Sequence, residues 1–181
     1  MMNRLIYISA LAVLLTMCSN PYQKEIAEID STLITLDSAR KILSAVDEAI
    51  LNDRLSKGEE ALADIEKSTD SLAKEDAYLI DDFHSYVKAY SRWMPRLSIM
   101  KEEIEVIPRQ LENLRTDLSK NLIEKEKARE YMNKEMAAAT SLMQSIHDLG
   151  MGLNDIDSAY QEAEKKVLLL KERLESQNHK P

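Results

Sequence analysis

The sequence has few of the residues from which turns and disulfides are built: three glycines, four prolines and one cysteine among 181 residues. A β-sandwich or barrel needs many tight turns, which draw on glycine and proline. A nucleotide-binding α/β fold needs glycine-rich loops beside its strands. One cysteine excludes an internal disulfide framework and a multi-cysteine zinc site. The composition therefore predicts long helices.

The sequence also lacks a basic cluster. Lys and Arg number 24 against 32 Asp and Glu, which gives a formal net charge of −8. Proteins that bind a nucleic-acid backbone present clustered lysine and arginine. The richest basic stretch, residues 120–129, also contains Glu124 and Glu126, so it is a mixed solvated face. We expect no nucleic-acid partner.

The first residues have the pattern of an export signal. Residues 1–18 read MMNRLIYISALAVLLTMC, with Arg4 ahead of a thirteen-residue run that is apolar except for Ser9 and Thr16. This run is too short for a bilayer core of roughly 30 Å, which takes about 20 residues, but it suits the apolar region of a signal peptide. We therefore predict a signal peptide over residues 1–17.

The end of this run, Leu15-Thr16-Met17-Cys18, resembles a bacterial lipobox, the motif read by signal peptidase II. Met17 departs from that pattern, in which a small residue usually precedes the cysteine. The resemblance covers about a tenth of the chain. It implies cleavage before Cys18, diacylation of its thiol and acylation of the new N-terminus. Two or three acyl chains anchor a protein stably, whereas one does so only marginally.

The residues after the cysteine bear on location. In enteric members of this family an aspartate at the next position favours the inner membrane, so Ser19 favours the outer membrane. No acidic run follows of the kind that marks surface display in some other bacteria. The resemblance thus implies a lipid-anchored protein of the cell envelope that faces the periplasm. The alternative is a signal peptide cut elsewhere, or a short anchor with an incidental cysteine.

Beyond the cysteine, apolar residues recur at steps of three and four, as on one face of a helix. Asn20 is a good N-cap, Pro21 fits the first helical position and Gln23 suits a capping box. This first helix is expected to end near Ser56-Lys57-Gly58, with a second weak point at residues 68–71. Its stripe comprises Ile26, Ile29, Leu33, Leu36, Ala39, Leu43, Val46 and Ile50.

The most regular pattern lies between residues 79 and 118. Its stripe comprises Leu79, Phe83, Tyr86, Tyr90, Trp93, Leu97, Met100, Ile104, Ile107, Leu111, Leu114 and Leu118. Pro95 and Pro108 fall within it but off the stripe. Because proline inside a helix costs roughly 3 kcal/mol, we predict a break near Met94-Pro95 and a kink at Pro108.

Two further stripes follow, separated by Gly150-Met151-Gly152, which is expected to end one helix. Asn154 or Asp155 can cap the next helix, and the polar tail over residues 176–181 is expected to fray. The first stripe comprises Met132, Met136, Ala139, Met143 and Ile146. The second comprises Leu153, Ile156, Tyr160, Ala163, Val167, Leu170 and Leu174.

The fold expected for residues 18–175 is all-α: an antiparallel bundle of about four long helices with coiled-coil-like heptad packing. Short connections make sequential helices antiparallel neighbours. A long coiled coil that completes its core by oligomerising would bury the same stripes, so the pattern leaves both architectures open.

No motif in the sequence carries an enzymatic or metal-binding signature. The nearest match to a di-iron Glu-x-x-His motif is Asp81-Asp82-Phe83-His84, but His84 lies one residue past the stripe and should face outward. His147 has glutamine rather than a carboxylate three residues before it, and His179 lies in the tail. No nucleophile elbow, Walker loop or Rossmann fingerprint occurs. We expect no metal, no cofactor and no enzymatic activity.

Four consecutive stripe positions are aromatic: Phe83, Tyr86, Tyr90 and Trp93. They can form a core layer, or a surface that docks a partner or ligand, since tyrosine and tryptophan are enriched at interfaces. The expected function is a non-enzymatic envelope lipoprotein with a structural or protein-interaction role. Its partners would be the membrane, through the lipid, and an envelope protein or a second copy. The alternative is a small carrier of hydrophobic ligands.

Overall fold

The computed structural model describes residues 20–69 and 72–178. About 91% of these residues are helical, and none of them forms a strand. The helices are α1 (Gln23–Ser44), α2 (Glu48–Ser68), α3 (Lys74–Ser119) and α4 (Lys125–Asn178). They pack against one another through apolar stripes, so the predicted all-α helical bundle is confirmed. The predicted signal peptide and the last three residues lie outside the described part.

The stripe of α3 forms the best-predicted part of the core. Nine of its twelve predicted members are buried and the other three are half-buried. Burying a large apolar side chain contributes about 1.5–3 kcal/mol. The buried members are Phe83, Tyr90, Leu97, Met100, Ile104, Ile107, Leu111, Leu114 and Leu118.

The predicted break at Pro95 is wrong, because α3 continues through both Pro95 and Pro108. The apolar stripe keeps its phase on either side of each proline, and burying it outweighs the penalty of roughly 3 kcal/mol for a proline inside a helix. Proline at position 108 has no N–H to donate to the carbonyl of Ile104. The guanidinium of Arg40 takes that place, with Nη2 donating to the Ile104 oxygen at 2.9 Å.

The first predicted helix is two helices. The chain leaves helical geometry after Ser44, and α2 begins at Glu48. Asp47 caps α2, since its Oδ1 accepts hydrogen bonds from the backbone N–H groups of Ala49 at 2.9 Å and Ile50 at 3.2 Å. The break shifts the phase of the stripe, so Ile50 is 47% exposed and Leu51 is buried. The predicted stop at residues 56–58 is wrong; the weak point at 68 coincides with the end of α2.

All three glycines lie inside helices, where the sequence predicted turns. The helix α4 continues past Gly150 and Gly152, so the predicted stop and the caps placed just after it are wrong. A Cβ on Gly58 would lie 2.5 Å from Val87 Cγ2, and one on Gly152 would lie 2.6 Å from the Trp93 ring. Glycine at both positions therefore permits a close approach between helices.

The stripe of α4 is continuous across these glycines. Leu149, which the prediction omitted, joins the two predicted stripes at steps of three and four. Leu142 is buried in place of Met143, which is half-buried. The buried members of the α4 stripe are Ala128, Met132, Ala139, Leu142, Ile146, Leu149, Tyr160, Ala163, Val167, Leu170 and Leu174.

By the density of internal contacts the chain divides into two compact units. The first unit contains residues 20–37 and 105–141 of the described chain. In it Thr32 contacts Met136, with 3.6 Å between Oγ1 and Sδ, and Asp30 pairs with Arg115 at 2.6 Å. The tyrosine hydroxyl of Tyr22 donates to the Ile123 carbonyl at 3.0 Å. Here α1 therefore runs parallel to α4 and antiparallel to α3.

A short loop joins α3 to α4 in this first unit. Asn121 has a φ of +54°, the left-handed conformation that commonly ends a helix. The N–H of Leu122 donates to the Asp117 carbonyl at 2.9 Å, which completes a Schellman motif. The predicted N-cap Asn20 accepts a hydrogen bond from the Tyr22 N–H at 2.8 Å. Its Nδ2 donates to the carbonyls of Leu118 at 3.2 Å and Ser119 at 3.1 Å, at the end of α3.

The second unit contains residues 38–104, without 70 and 71, and residues 142–178. In this unit α2 runs antiparallel to α3 and parallel to α4. Glu48 accepts from Lys101 at 2.5 Å, and Asp64 accepts from Lys171 at 2.6 Å. The connection between α1 and α2 does not reverse the chain, in contrast to the expectation for sequential helices. The loop has three residues, 45–47, and ends in the N-cap Asp47. It changes the helix direction by less than a reversal, so α2 does not pack antiparallel to α1.

Candidate functional site

The four aromatic residues singled out in the sequence lie along α3 in the second unit, and two of them belong to its core. Phe83 and Tyr90 are both 0% exposed, whereas Tyr86 and Trp93 are half-buried. Phe83 and Tyr90 pack on Tyr160 of α4, with ring centroids 5.3 and 5.1 Å away. Tyr90 also meets Trp93 edge to face at 6.0 Å. The buried aromatic rings are covered by one another, so of the four residues only Tyr86 and Trp93 have surface that a partner could contact.

Sequence reasoning missed the polar side of this cluster. The Tyr160 hydroxyl donates to the backbone carbonyl of Arg54 at 2.8 Å and lies 3.1 Å from a Glu164 carboxylate oxygen. The Arg54 guanidinium lies 5.9 Å from the Tyr160 ring centroid and pairs with Asp157. No single motif predicts this arrangement, because its residues come from α2 and α4.

Both buried tyrosines stay protonated over a wide pH range. Burial raises the pKa of Tyr160, and the neighbouring carboxylate of Glu164 raises that pKa further. Burial likewise raises the pKa of Tyr90, partly offset by the charge of Arg54. The Tyr90 hydroxyl is buried and has no hydrogen-bond partner among the described residues. Both neutral phenols pack in the core, and Tyr160 is in addition a hydrogen-bond donor.

A cavity of about 290 Å³ lies beside Trp93, between α3 and α4. Its apolar lining comprises Trp93, Ile99, Met100 and Leu149, and its charged lining comprises Arg96, Glu103 and Asp148. The volume is at the lower limit of ligand pockets, which span about 300–1,000 Å³. This cavity is the feature nearest to the ligand site that the aromatic residues suggested.

A larger concave surface follows the seam between α2 and α3, and we call it the α2–α3 groove. It consists of two adjoining cavities of about 540 and 480 Å³, which share Leu62, Glu66 and His84. Its apolar lining comprises Leu62, Ala63, Ile65, Leu72, Ala77, Ile80 and Val87. Its charged lining comprises Glu59, Glu66, Asp81 and Lys88, besides His84.

The groove exists because apolar residues occupy positions beside the main stripes. Leu62 follows the buried Ala61, and Ile80 precedes the buried Phe83 by three residues. Both are half-buried, so the bundle covers only one side of each. This second row of apolar residues is visible in the sequence and could have identified the groove.

The histidines take the positions expected of surface residues. His84 and His147 are both exposed, and His179 lies outside the described residues. Within residues 20–69 and 72–178, no three His, Cys, Asp or Glu side chains are grouped so that they could hold a metal ion. The predicted lipidation site, Cys18, also lies outside the described residues.

The mixed-charge stretch at residues 120–129 is exposed almost throughout, with Ala128 buried and Ile123 half-buried. In the described part of the chain, no helix has both the length and the apolar character needed to cross a membrane.

Comparison with known proteins found no matching family model, no matching curated protein and no matching solved structure.

Proposed function

We propose that this protein is a lipid-anchored component of the bacterial cell envelope, with a non-enzymatic structural or protein-interaction role. The observation that carries the proposal is the sequence Leu15-Thr16-Met17-Cys18, which stands at the end of an apolar run of signal-peptide length and resembles a lipobox. Ser19 favours the outer membrane, and the absence of acidic residues from positions 20–23 favours its periplasmic face. Acylated Cys18 would be the anchor, since two or three acyl chains hold a protein stably in a bilayer.

The distance between the anchor and the bundle supports a role close to the membrane. Only four residues separate Cys18 from Gln23, where α1 begins. A fully extended chain spans at most about 3.6 Å per residue, so five residue steps reach about 18 Å. The first unit would therefore lie near the membrane surface, held there by the lipid.

The α2–α3 groove supports the interaction role. Its apolar residues are half-buried in the bundle, and a partner that covered them would remove their remaining surface from water. Each 100 Å² of apolar surface buried in this way contributes about 2.5 kcal/mol before the costs of association.

The anchor is tested by expressing the full chain in bacteria with a radiolabelled or clickable fatty acid, beside Cys18→Ser. We expect label on the native chain and none on the variant. The matched control is Ser19→Ala, which leaves the cysteine in place and should keep the label. Equal labelling of the native chain and Cys18→Ser, or labelling of neither, would refute the lipid anchor.

The location is tested separately by membrane fractionation of an enteric host. The native chain should appear in the outer-membrane fraction, and Ser19→Asp should move it toward the inner membrane. If both chains fractionate with the inner membrane, the outer-membrane assignment is wrong while the anchor stands.

A second candidate function, carriage of a small hydrophobic ligand, is favoured by the cavity beside Trp93. Trp93 is the only tryptophan, so its emission reports on this cavity directly. A ligand that entered the cavity would shift or quench that emission. Unchanged emission at saturating concentrations of fatty acids and of a hydrophobic dye would exclude the carrier role at this cavity.

A further inference from the structure

The α2–α3 groove is shaped like the site of an additional helix. In the second unit α4 packs on α2 through Tyr160 and on α3 through the contact of Phe83 with Tyr160. The groove is on the seam between α2 and α3, where these two helices approach each other through Gly58 and Val87. An added helix would lie along this seam and bury the second row of apolar residues, in the manner of ridges packed into grooves.

The length of the groove matches a short helix. Along α3 its lining extends from Ala77 to Ser91, which are fourteen residue steps apart. At 1.5 Å per residue this is about 21 Å, or about four helical turns. A helix of that length presents four or five side chains at positions i, i+3, i+4 and i+7 to a groove.

The charges along the groove select the kind of helix. Glu59, Glu66 and Asp81 contribute three carboxylates, and Lys88 is the only lysine or arginine in the lining. Among residues 20–69 and 72–178, these three carboxylate groups have no ion-pair partner and no hydrogen-bond partner. Charged side chains along an interface favour a partner of opposite sign and disfavour one of the same sign.

A second copy of this chain fits these charges poorly. The chain carries 32 acidic against 24 basic residues, so on average a second copy brings more negative than positive charge to the groove. Building on the interaction role proposed above, we propose that the α2–α3 groove binds an amphipathic helix of another protein. The apolar face of that helix is flanked by lysine or arginine, which meets the carboxylates of Glu59, Glu66 and Asp81.

The experiment measures binding of three helix-stabilised, dye-labelled peptides of about fourteen residues. One has a leucine-alanine face flanked by lysines, the second has the same face flanked by glutamates, and the third is a scramble of the first. The protein is the full chain in nanodiscs of zwitterionic lipid, with empty nanodiscs as the blank. Fluorescence anisotropy gives the dissociation constants at low and high salt.

The variant Glu66→Lys/Asp81→Lys reverses two groove charges that have no partner in the described structure. The matched control, Glu102→Lys/Glu130→Lys, makes the same change in net charge at two exposed carboxylates outside the groove. Unfolding midpoints of both variants establish that each is folded.

We expect the lysine-flanked peptide to bind at least about tenfold more tightly than the glutamate-flanked one, with weaker binding at high salt. The groove variant should weaken that binding about tenfold, and the control variant less than about twofold. Equal binding of the two charged peptides, or equal loss in the two variants, overturns the proposal. So does a concentration-dependent dimer that the groove variant abolishes, because a second copy would then occupy the groove.

Failure here is distinguishable from failure of the proposed function. If Cys18 is acylated and no peptide binds the groove, the envelope anchor stands and the basic-helix partner is wrong. If the lysine-flanked peptide binds and Cys18 is not acylated, the groove assignment stands and the anchor is wrong.

Discussion

The hydrogen bond from Arg40 to the Ile104 carbonyl can be tested by replacing the proline that makes it necessary. Pro108 has no N–H, so the Ile104 oxygen lacks its usual helical donor, and Arg40 Nη2 donates to that oxygen at 2.9 Å. Alanine at position 108 would restore the helical N–H. The test combines Pro108→Ala, Arg40→Met and the double variant in a thermodynamic cycle.

The expected magnitudes follow from the two donors. Proline inside a helix costs about 3 kcal/mol relative to alanine, and part of that cost is the lost hydrogen bond that Arg40 already replaces. We expect Pro108→Ala to stabilise the protein by about 1–2 kcal/mol. A hydrogen bond from a charged donor contributes about 1.5–3 kcal/mol, and Arg40 is exposed, so Arg40→Met should cost about 1.5 kcal/mol in the native background.

In the Pro108→Ala background the Ile104 oxygen keeps a donor when Arg40 is removed. Arg40→Met should then cost only about 0.5 kcal/mol, which gives a coupling free energy of about 1 kcal/mol. Other interactions of Arg40 are present in both backgrounds and cancel in the cycle. The measurement is equilibrium unfolding in urea, monitored by circular dichroism. The unfolding free energies are compared using one common dependence on urea concentration for all variants.

The matched control repeats the cycle with Pro95→Ala. Pro95 also lies inside α3, but its missing N–H concerns the carbonyl of Ser91, which Arg40 does not contact. This second cycle should show a coupling near zero. If Arg40→Met costs the same with proline and with alanine at position 108, Arg40 does not replace the missing donor and the account of this helix is wrong.

Three further predictions concern the second unit. Gly58→Ala should destabilise the protein by about 1–3 kcal/mol in thermal unfolding, because the new Cβ would lie 2.5 Å from the buried side chain of Val87. Gly150→Ala should change stability by less than about 1 kcal/mol, because its Cβ would lie 3.1 Å from the partly exposed side chain of Ile42. Tyr160→Phe should cost about 1 kcal/mol for its lost hydrogen bond, whereas Tyr90→Phe, which loses none, should be neutral or stabilising. The hydrogen bond from Lys171 lowers the pKa of Asp64 in the folded protein below its ordinary value of 3.8. The native chain should therefore have its full stability advantage over Asp64→Asn above pH 3.8, and lose it as the pH falls further and the folded carboxylate is protonated.

Each of these has a contrary outcome. Equal effects of alanine at the two glycine positions would show that close approach does not decide their tolerance. A larger loss from Tyr90→Phe than from Tyr160→Phe would mean that the Tyr90 hydroxyl has a partner. For Asp64, an advantage over the asparagine variant that grows toward low pH in urea unfolding would have the wrong sign for a carboxylate whose pKa is lowered on folding.

The helical class and the core stripes could be predicted because they depend on local spacing. Twelve apolar residues in alternating steps of three and four place one face of α3 against the bundle, and most of them are buried. The same reasoning would have joined the two stripes of α4 had Leu149 been counted, since the phase is unbroken from Ile146 to Leu153. A periodic pattern reports on burial directly, because only one face of a helix turns toward the core.

Helix ends and the candidate groove were harder to predict. Asp47 carries the capping signal that separates α1 from α2, but the surrounding stripe hides it. Gly152 was expected to end a helix, because glycine is common at helix ends, and the ring of Trp93 lies where its side chain would be. Leu62 and Ile80 occupy a secondary apolar row, whose meaning depends on α2 and α3 running antiparallel at close contact.

By itself, the sequence determined the all-α class of the described residues and the faces that their helices bury. By resemblance it also predicts a lipid anchor at Cys18, which stays a prediction. These follow from residues close together in the chain, where spacing and local chemistry are sufficient. Only the tertiary structure decided that the prolines and glycines lie within helices. A missing N–H is tolerable when Arg40 supplies a donor, and a glycine is favourable when Trp93 or Val87 fills the space of a side chain. Those partners are distant in sequence, so no local pattern contains them.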